Sequence, residues 1–195
     1  MNKTLMHEKI AILVANGFNE AEMVTAQKLL QKQGAYTRLI SMDHGLVNSW
    51  TGTAWGHHFA ADCVLSTALA ADFSMLLIPG GRRSVEKLKL TAHTQRFIGG
   101  FLNAGKPLAL MGDAIELLLN NPNARGRAVC GAEFLEQGVK AAGMVWSDSS
   151  VVADDNLITC RTAPEDVLAE GAEAIVHHFA TYRMQTMRPQ ALKAA

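Results

Sequence analysis

Two rhythms of apolar and polar positions run along the chain. Three short runs are apolar at nearly every position: residues 9–15 (KIAILVA), 74–78 (SMLLI) and 107–110 (PLAL). Each is too short for a typical helix. Their uniform apolarity predicts strands of a parallel sheet covered on both faces. Between them the spacing turns helical. Residues 20–33 place Ala21, Val24, Leu29 and Leu30 inward and end at Gly34, a C-terminal stop. One or two helices are predicted over 84–103, a short one over 62–70, one over 133–142 ending at Gly143, and a long one over 167–183 behind Pro164-Glu165-Asp166. Further short strands are predicted over 36–42, 57–60, 127–130, 144–147, 151–153 and 157–160. Asp154-Asp155-Asn156 forms a hairpin turn between the last two. Residues 43–56 are polar and predict loops or a small edge hairpin. Strands alternating with helices define an α/β fold, a three-layer sandwich with a mainly parallel central sheet. One domain over residues 9–183 is expected, with a flexible leader over 1–8 and a basic tail over 184–195.

One stretch dominates that pattern. Residues 106–118 read KPLALMGDAIELL, a strand that turns into a helical pattern within two or three residues. Such an elbow requires a residue free to adopt unusual backbone angles, and Gly112 is of that type. In α/β enzymes the elbow holds a nucleophile above the sheet beside the free amides of a helix N-terminus. The apex predicted here is Met111, whose thioether has no proton to lose and cannot serve as an activated nucleophile. Ligands in open α/β sheets sit at the carboxyl ends of the strands. Three such ends carry unusual residues: 17–22, 79–83 and 111–113.

Composition narrows the chemistry. The chain has 195 residues, 18 Lys and Arg against 18 Asp and Glu, and a formal net charge of zero. That balance predicts no partnership with nucleic acid or an anionic membrane. No apolar run approaches the roughly 18 residues of a spanning helix. Three widely spaced cysteines, Cys63, Cys130 and Cys160, predict reduced thiols and a cytoplasmic protein rather than a disulfide framework. The doublets His57-His58 and His177-His178 cannot chelate one ion alone, since neighbours diverge on a strand and on a helix. No metal and no cofactor is expected.

Four stretches resemble the ThiJ/PfpI superfamily, within the class I glutamine-amidotransferase-like, flavodoxin-like fold. KIAILVANGFNEAEM is similar to its first strand and acidic loop, LLIPGG to its oxyanion-loop strand, LALMGDAIELL to its nucleophile elbow, and GMVWSDSSVVADDNLITCRTAPED to its closing hairpin, often EWVDEEVVVDGNLVTSRTPDD. The resemblance implies an elbow cysteine, a glutamate from the first loop that hydrogen-bonds it and tunes its pKa, and a nearby histidine. Glu22 matches the glutamate. Met111 falls on the cysteine, Gly112 on the residue that is histidine in one branch, and Gly131-Ala132 near the other histidine location. The elbow more closely resembles the C-terminal domain of large-subunit catalases, which carries a PIALAGDA-type segment. The resemblance also implies a homodimer.

The candidate pocket is therefore Glu22, Gly80, Gly81, Met111, Gly112 and Asp113, with Glu22, Cys130 and Asp113 the candidate catalytic groups. Asp113 reads first as a helix cap whose pKa the helix N-terminus lowers. Gly81 and Gly112 offer backbone amides for an anion. Arg82 or Arg83 brings charge to it. Two functions follow. One is a non-catalytic, stress-related, binding or assembly protein with a small-molecule or protein ligand at the elbow. The other is a hydrolase, of amidase, protease or glyoxalase-like type, with its nucleophile moved to Cys130.

Overall fold

A computed structural model of the chain describes residues 3–191. In chain order the strands are β1 (Lys9–Leu13), β2 (Phe18–Asn19), β3 (Tyr36–Ser41), β4 (Leu46–Trp50), β5 (Trp55–Ala60), β6 (Cys63–Val64), β7 (Met75–Ile78), β8 (Leu108–Met111), β9 (Ala128–Val129), β10 (Val145–Trp146), β11 (Val151–Asp154) and β12 (Leu157–Cys160). The α-helices are α1 (Glu20–Lys32), α2 (Arg82–Lys89), α3 (Ala92–Asn103), α4 (Glu136–Ala141) and α5 (Glu165–Ala191). The central sheet has the order β11-β12-β8-β7-β1-β3-β6, parallel throughout except for the edge strand β11.

The uniformly apolar runs have the explanation that their composition predicts. Every residue of β7 and of β8 is buried. Leu108 and Leu110 face a core shared with Leu76, Ile78, Val85, Phe97 and Phe101. Ala109 and Met111 face the opposite core, with Ile10, Ile12, Met23 and Phe179. A strand with helices on both faces has no polar side to show, and burial of each large aliphatic side chain contributes about 1.5–3 kcal/mol. Asn19 caps α1, its side-chain oxygen accepting from the Glu22 backbone N–H at 3.3 Å. Gly34, at φ +88°, follows the helix's last turn.

Several boundaries differ from the sequence expectations. Residues 3–8 are not a loose leader: Leu5 is fully buried, its N–H donates to Gln33 O at 3.0 Å, and Glu8 pairs with Arg183 at 2.8 Å. The helix expected over 62–70 is the short edge strand β6, paired with β3, followed by a 3-10 turn at Ala70–Asp72. Residues 46–60 form a hairpin that joins β2 in a separate three-stranded sheet. The terminal helix runs through the expected tail as far as Ala191; residues 192–195 lie outside the described residues. No helix among the described residues is long and apolar enough to cross a membrane.

Candidate functional site

The carboxyl ends of β1, β7, β8 and β12 meet around one cavity of about 680 Å³. Its lining includes Glu22, Gly81, Gly112 and Asp113 of the predicted pocket, together with Gly131 and Ala132. The elbow itself is built one position later than the sequence suggests. Met111 is the last residue of β8, extended at φ −110° and ψ 138°, paired with Cys160 of β12 and fully buried in the core under α1 and α5. The left-handed residue at the turn is Gly112, φ +56°. So Met111 is a core residue, and the apex carries no side chain at all. The helical segment beyond it, Gly112–Leu118, winds as a 3-10 helix.

Glu22 is 3% exposed and points into this elbow from the first turn of α1. Its Oε2 accepts the Gly80 N–H at 2.6 Å, and its Oε1 accepts Asn19 Nδ2 at 2.9 Å. A Cβ built on Gly112 would stand 2.7 Å from Thr162 Oγ1 and 3.3 Å from Glu22 Oε1. The carboxyl and the hydroxyl thus flank the place where an apex side chain would begin. Burial pushes the Glu22 pKa up to about 7, outweighing the bonds from Gly80 and Thr162 that favour the carboxylate. Glu20, two residues away, behaves oppositely. The Ser49 hydroxyl and the His57 backbone N–H stabilise its charged form and lower its pKa to about 2.

Asp113 is not a simple cap. Its Oδ1 accepts the Gly81 N–H at 2.7 Å, across the site. Burial pushes its pKa up, the reverse of the expected lowering, because desolvation exceeds the help from the Gly81 amide. A Cβ on Gly80 would lie 2.5 Å from Asp113 Oδ1 and 2.8 Å from Glu22 Oε2, so the two carboxyl groups close on Gly80 together. The Gly81 amide, expected with that of Gly112 to await an anion, is taken by Asp113, and the neighbouring Gly80 amide by Glu22. Gly81 sits at φ +116°, where a Cβ would meet Asn19 N at 2.5 Å; only glycine lets this loop press against the first loop.

Cys130 does not join the site. It is fully buried, its Sγ donates to Thr159 O at 3.3 Å, it is absent from the cavity wall, and burial raises its pKa. Cys160 is buried too, with its pKa raised well above the ordinary value by burial. Cys63 lies on the edge strand β6. Arg82 lines the cavity and pairs with Glu86 and Glu116. Arg83 stacks instead on Trp50, 4.2 Å from the ring centre. Among the described residues, no group of three or more His, Cys, Asp or Glu could hold a metal ion. Sequence reasoning missed Arg161, Thr162, Trp50 and Phe134 as lining residues. The first two directly follow the carboxyl end of a parallel strand, LITC, and that position was the available signal.

Comparison with known proteins places the chain. A family model described as the DJ-1/PfpI family matches residues 8–174. The chain is 28% identical over 170 residues to a Bacillus subtilis protein named putative cysteine protease YraA, covering 87% of this chain and 98% of that one. It is 29% identical over 171 residues to an Escherichia coli protein named protein/nucleic acid deglycase 2, covering 87% and 97%. The structure of a ThiJ/PfpI domain protein from Brachyspira murdochii superposes with a TM-score of 0.80 at 19% identity, covering 91% of this chain and 98% of that one. From the first strand to the terminal helix, this chain belongs to the DJ-1/PfpI family.

Proposed function

We propose that this protein is a family member without a working nucleophile, and that it uses the elbow cavity to bind a ligand in a stress-related or assembly role. The observation that carries the reading is Gly112 at the left-handed turn of the elbow, with no thiol in the cavity wall. A glycine supplies no nucleophilic atom, and the nearby amides of Gly80 and Gly81 already serve Glu22 and Asp113. The resemblance of the elbow to the C-terminal domain of large-subunit catalases points the same way. A cytoplasmic homodimer fits the reading, by resemblance to the family.

The names of the relatives favour a second reading, an enzyme. Its chemistry would fall to the acid pair. Glu22, half-protonated near neutrality, would exchange a proton beside the empty apex, with Asp113 as its charged neighbour. Cys130 is a poor nucleophile for it, being sequestered and protonated.

One experiment separates the two. The purified protein is incubated with methylglyoxal and with chromogenic peptides, and substrate loss is followed at neutral pH. The binding reading expects no turnover above background. Clear turnover that Glu22→Gln abolishes in a folded variant would overturn it in favour of the acid pair.

A further inference from the structure

Two arginines of similar burial are treated very differently. Arg127 is 18% exposed, and its guanidinium is well bonded: Nε donates to Asp154 Oδ1 at 3.1 Å, and both terminal nitrogens donate to Asn156 Oδ1 at 3.2 Å. Arg161 is 21% exposed and lines the elbow cavity. Its terminal nitrogens reach Glu133 at 3.3 Å and Asp148 at 3.5 Å, carboxylates that are 83% and 91% exposed, and its guanidinium lies 5.9 Å from the centre of the Trp146 ring. Its Nε is shielded from solvent and has no hydrogen-bond partner among the described residues. Long contacts to solvated carboxylates contribute little. A guanidinium withdrawn this far from water is best satisfied by a planar, bidentate acceptor.

The neighbours of Arg161 limit what that acceptor can carry. Thr162 comes next in the chain, and its hydroxyl lies 2.7 Å from the Gly112 Cβ position, where the missing side chain leaves room. Glu22 and Asp113 line the same cavity. A second anionic group at that end would meet two acids, whereas an uncharged oxygen would meet a hydroxyl and a carboxyl able to donate.

We propose that the cavity binds a short monocarboxylate, its carboxylate on Arg161 and a hydroxyl or keto oxygen of its carbon chain against Thr162 and Glu22. The proposal rests on the reading of the elbow as a binding site and names the ligand class. Arg161 supplies the charge and the fork geometry, Thr162 and Glu22 select for the uncharged oxygen, and the acids of the elbow discriminate against dicarboxylates.

The test is calorimetric titration of the full chain with pyruvate and 3-hydroxypropionate. Propionate, malonate and inorganic phosphate serve as comparisons. Pyruvate and 3-hydroxypropionate should bind saturably with one site per chain, more tightly than propionate, with malonate and phosphate weaker still. Arg161→Gln should lower the affinity at least roughly tenfold. Thr162→Val should weaken 3-hydroxypropionate while leaving propionate unchanged, which also covers the case of a misfolded Arg161 variant. Absence of binding at millimolar pyruvate and 3-hydroxypropionate, equal binding of phosphate, or an Arg161→Gln variant that binds as before would each overturn the assignment. Nuclear magnetic resonance of the same mixtures separates the two levels. Chemical conversion of a bound carboxylate would sink the non-catalytic reading and leave this one standing.

Discussion

The cavity and the cysteines divide between them what a thiol enzyme keeps together. The cavity at the carboxyl ends of the strands has access, a tuned carboxyl and a sharp left-handed turn, yet the turn residue is Gly112. Cys130 and Cys160 have sulfur, yet both are fully buried with raised pKa values. Each half lacks what the other holds. The lesson is that a fold can hold a desolvated, hydrogen-bonded carboxyl against a turn that presents no nucleophilic side chain. Glu22 is desolvated and bonded to Gly80, and no side chain stands at the apex beside it.

The comparison breaks first at Met111. If it is core rather than apex, Met111→Ala leaves a cavity under α1 and α5 and costs about 2–5 kcal/mol in urea unfolding. A loss below about 0.5 kcal/mol would return Met111 to the pocket surface.

Glu22 sharpens it. Its pKa in the folded protein, about 7, is above the ordinary value of 4.5, so the folded state holds the proton more tightly. Its contribution to stability is therefore fully present below pH 4.5 and is lost as pH rises through 7. Over that window the wild type should lose roughly 3 kcal/mol relative to Glu22→Gln, which carries no titrating group there. Parallel stability curves for the two proteins would show that Glu22 is solvated.

The sheet and its two-sided core were legible in the sequence, because they rest on local apolar runs, whereas Glu22 entered the candidate pocket only through resemblance to the family. The elbow register was not legible. The run Leu108–Met111 is apolar throughout, so it holds no alternation to mark its end. The end is set by pairing of Met111 with Cys160, far along the chain. Asp113 was misread for a similar reason: its partner, Gly81, lies 32 positions away. Residues 63–64 carry an apolar stretch that suits a helix, but the free edge of β3 captures them as a strand. Local pattern names the elements; contacts between distant segments decide where they stop.

The central claim, a cavity without an activated thiol, is tested most directly by iodoacetamide labelling of the native protein at neutral pH, with Gly112→Cys run beside the wild type. Labelling rate follows thiolate character and access. The account predicts slow labelling at Cys130 and Cys160 in both proteins, and a new apex thiol in the variant that reacts faster by on the order of a hundredfold. Fast, selective labelling of wild-type Cys130 would contradict it, because an ionised thiol would then be reaching the site after all.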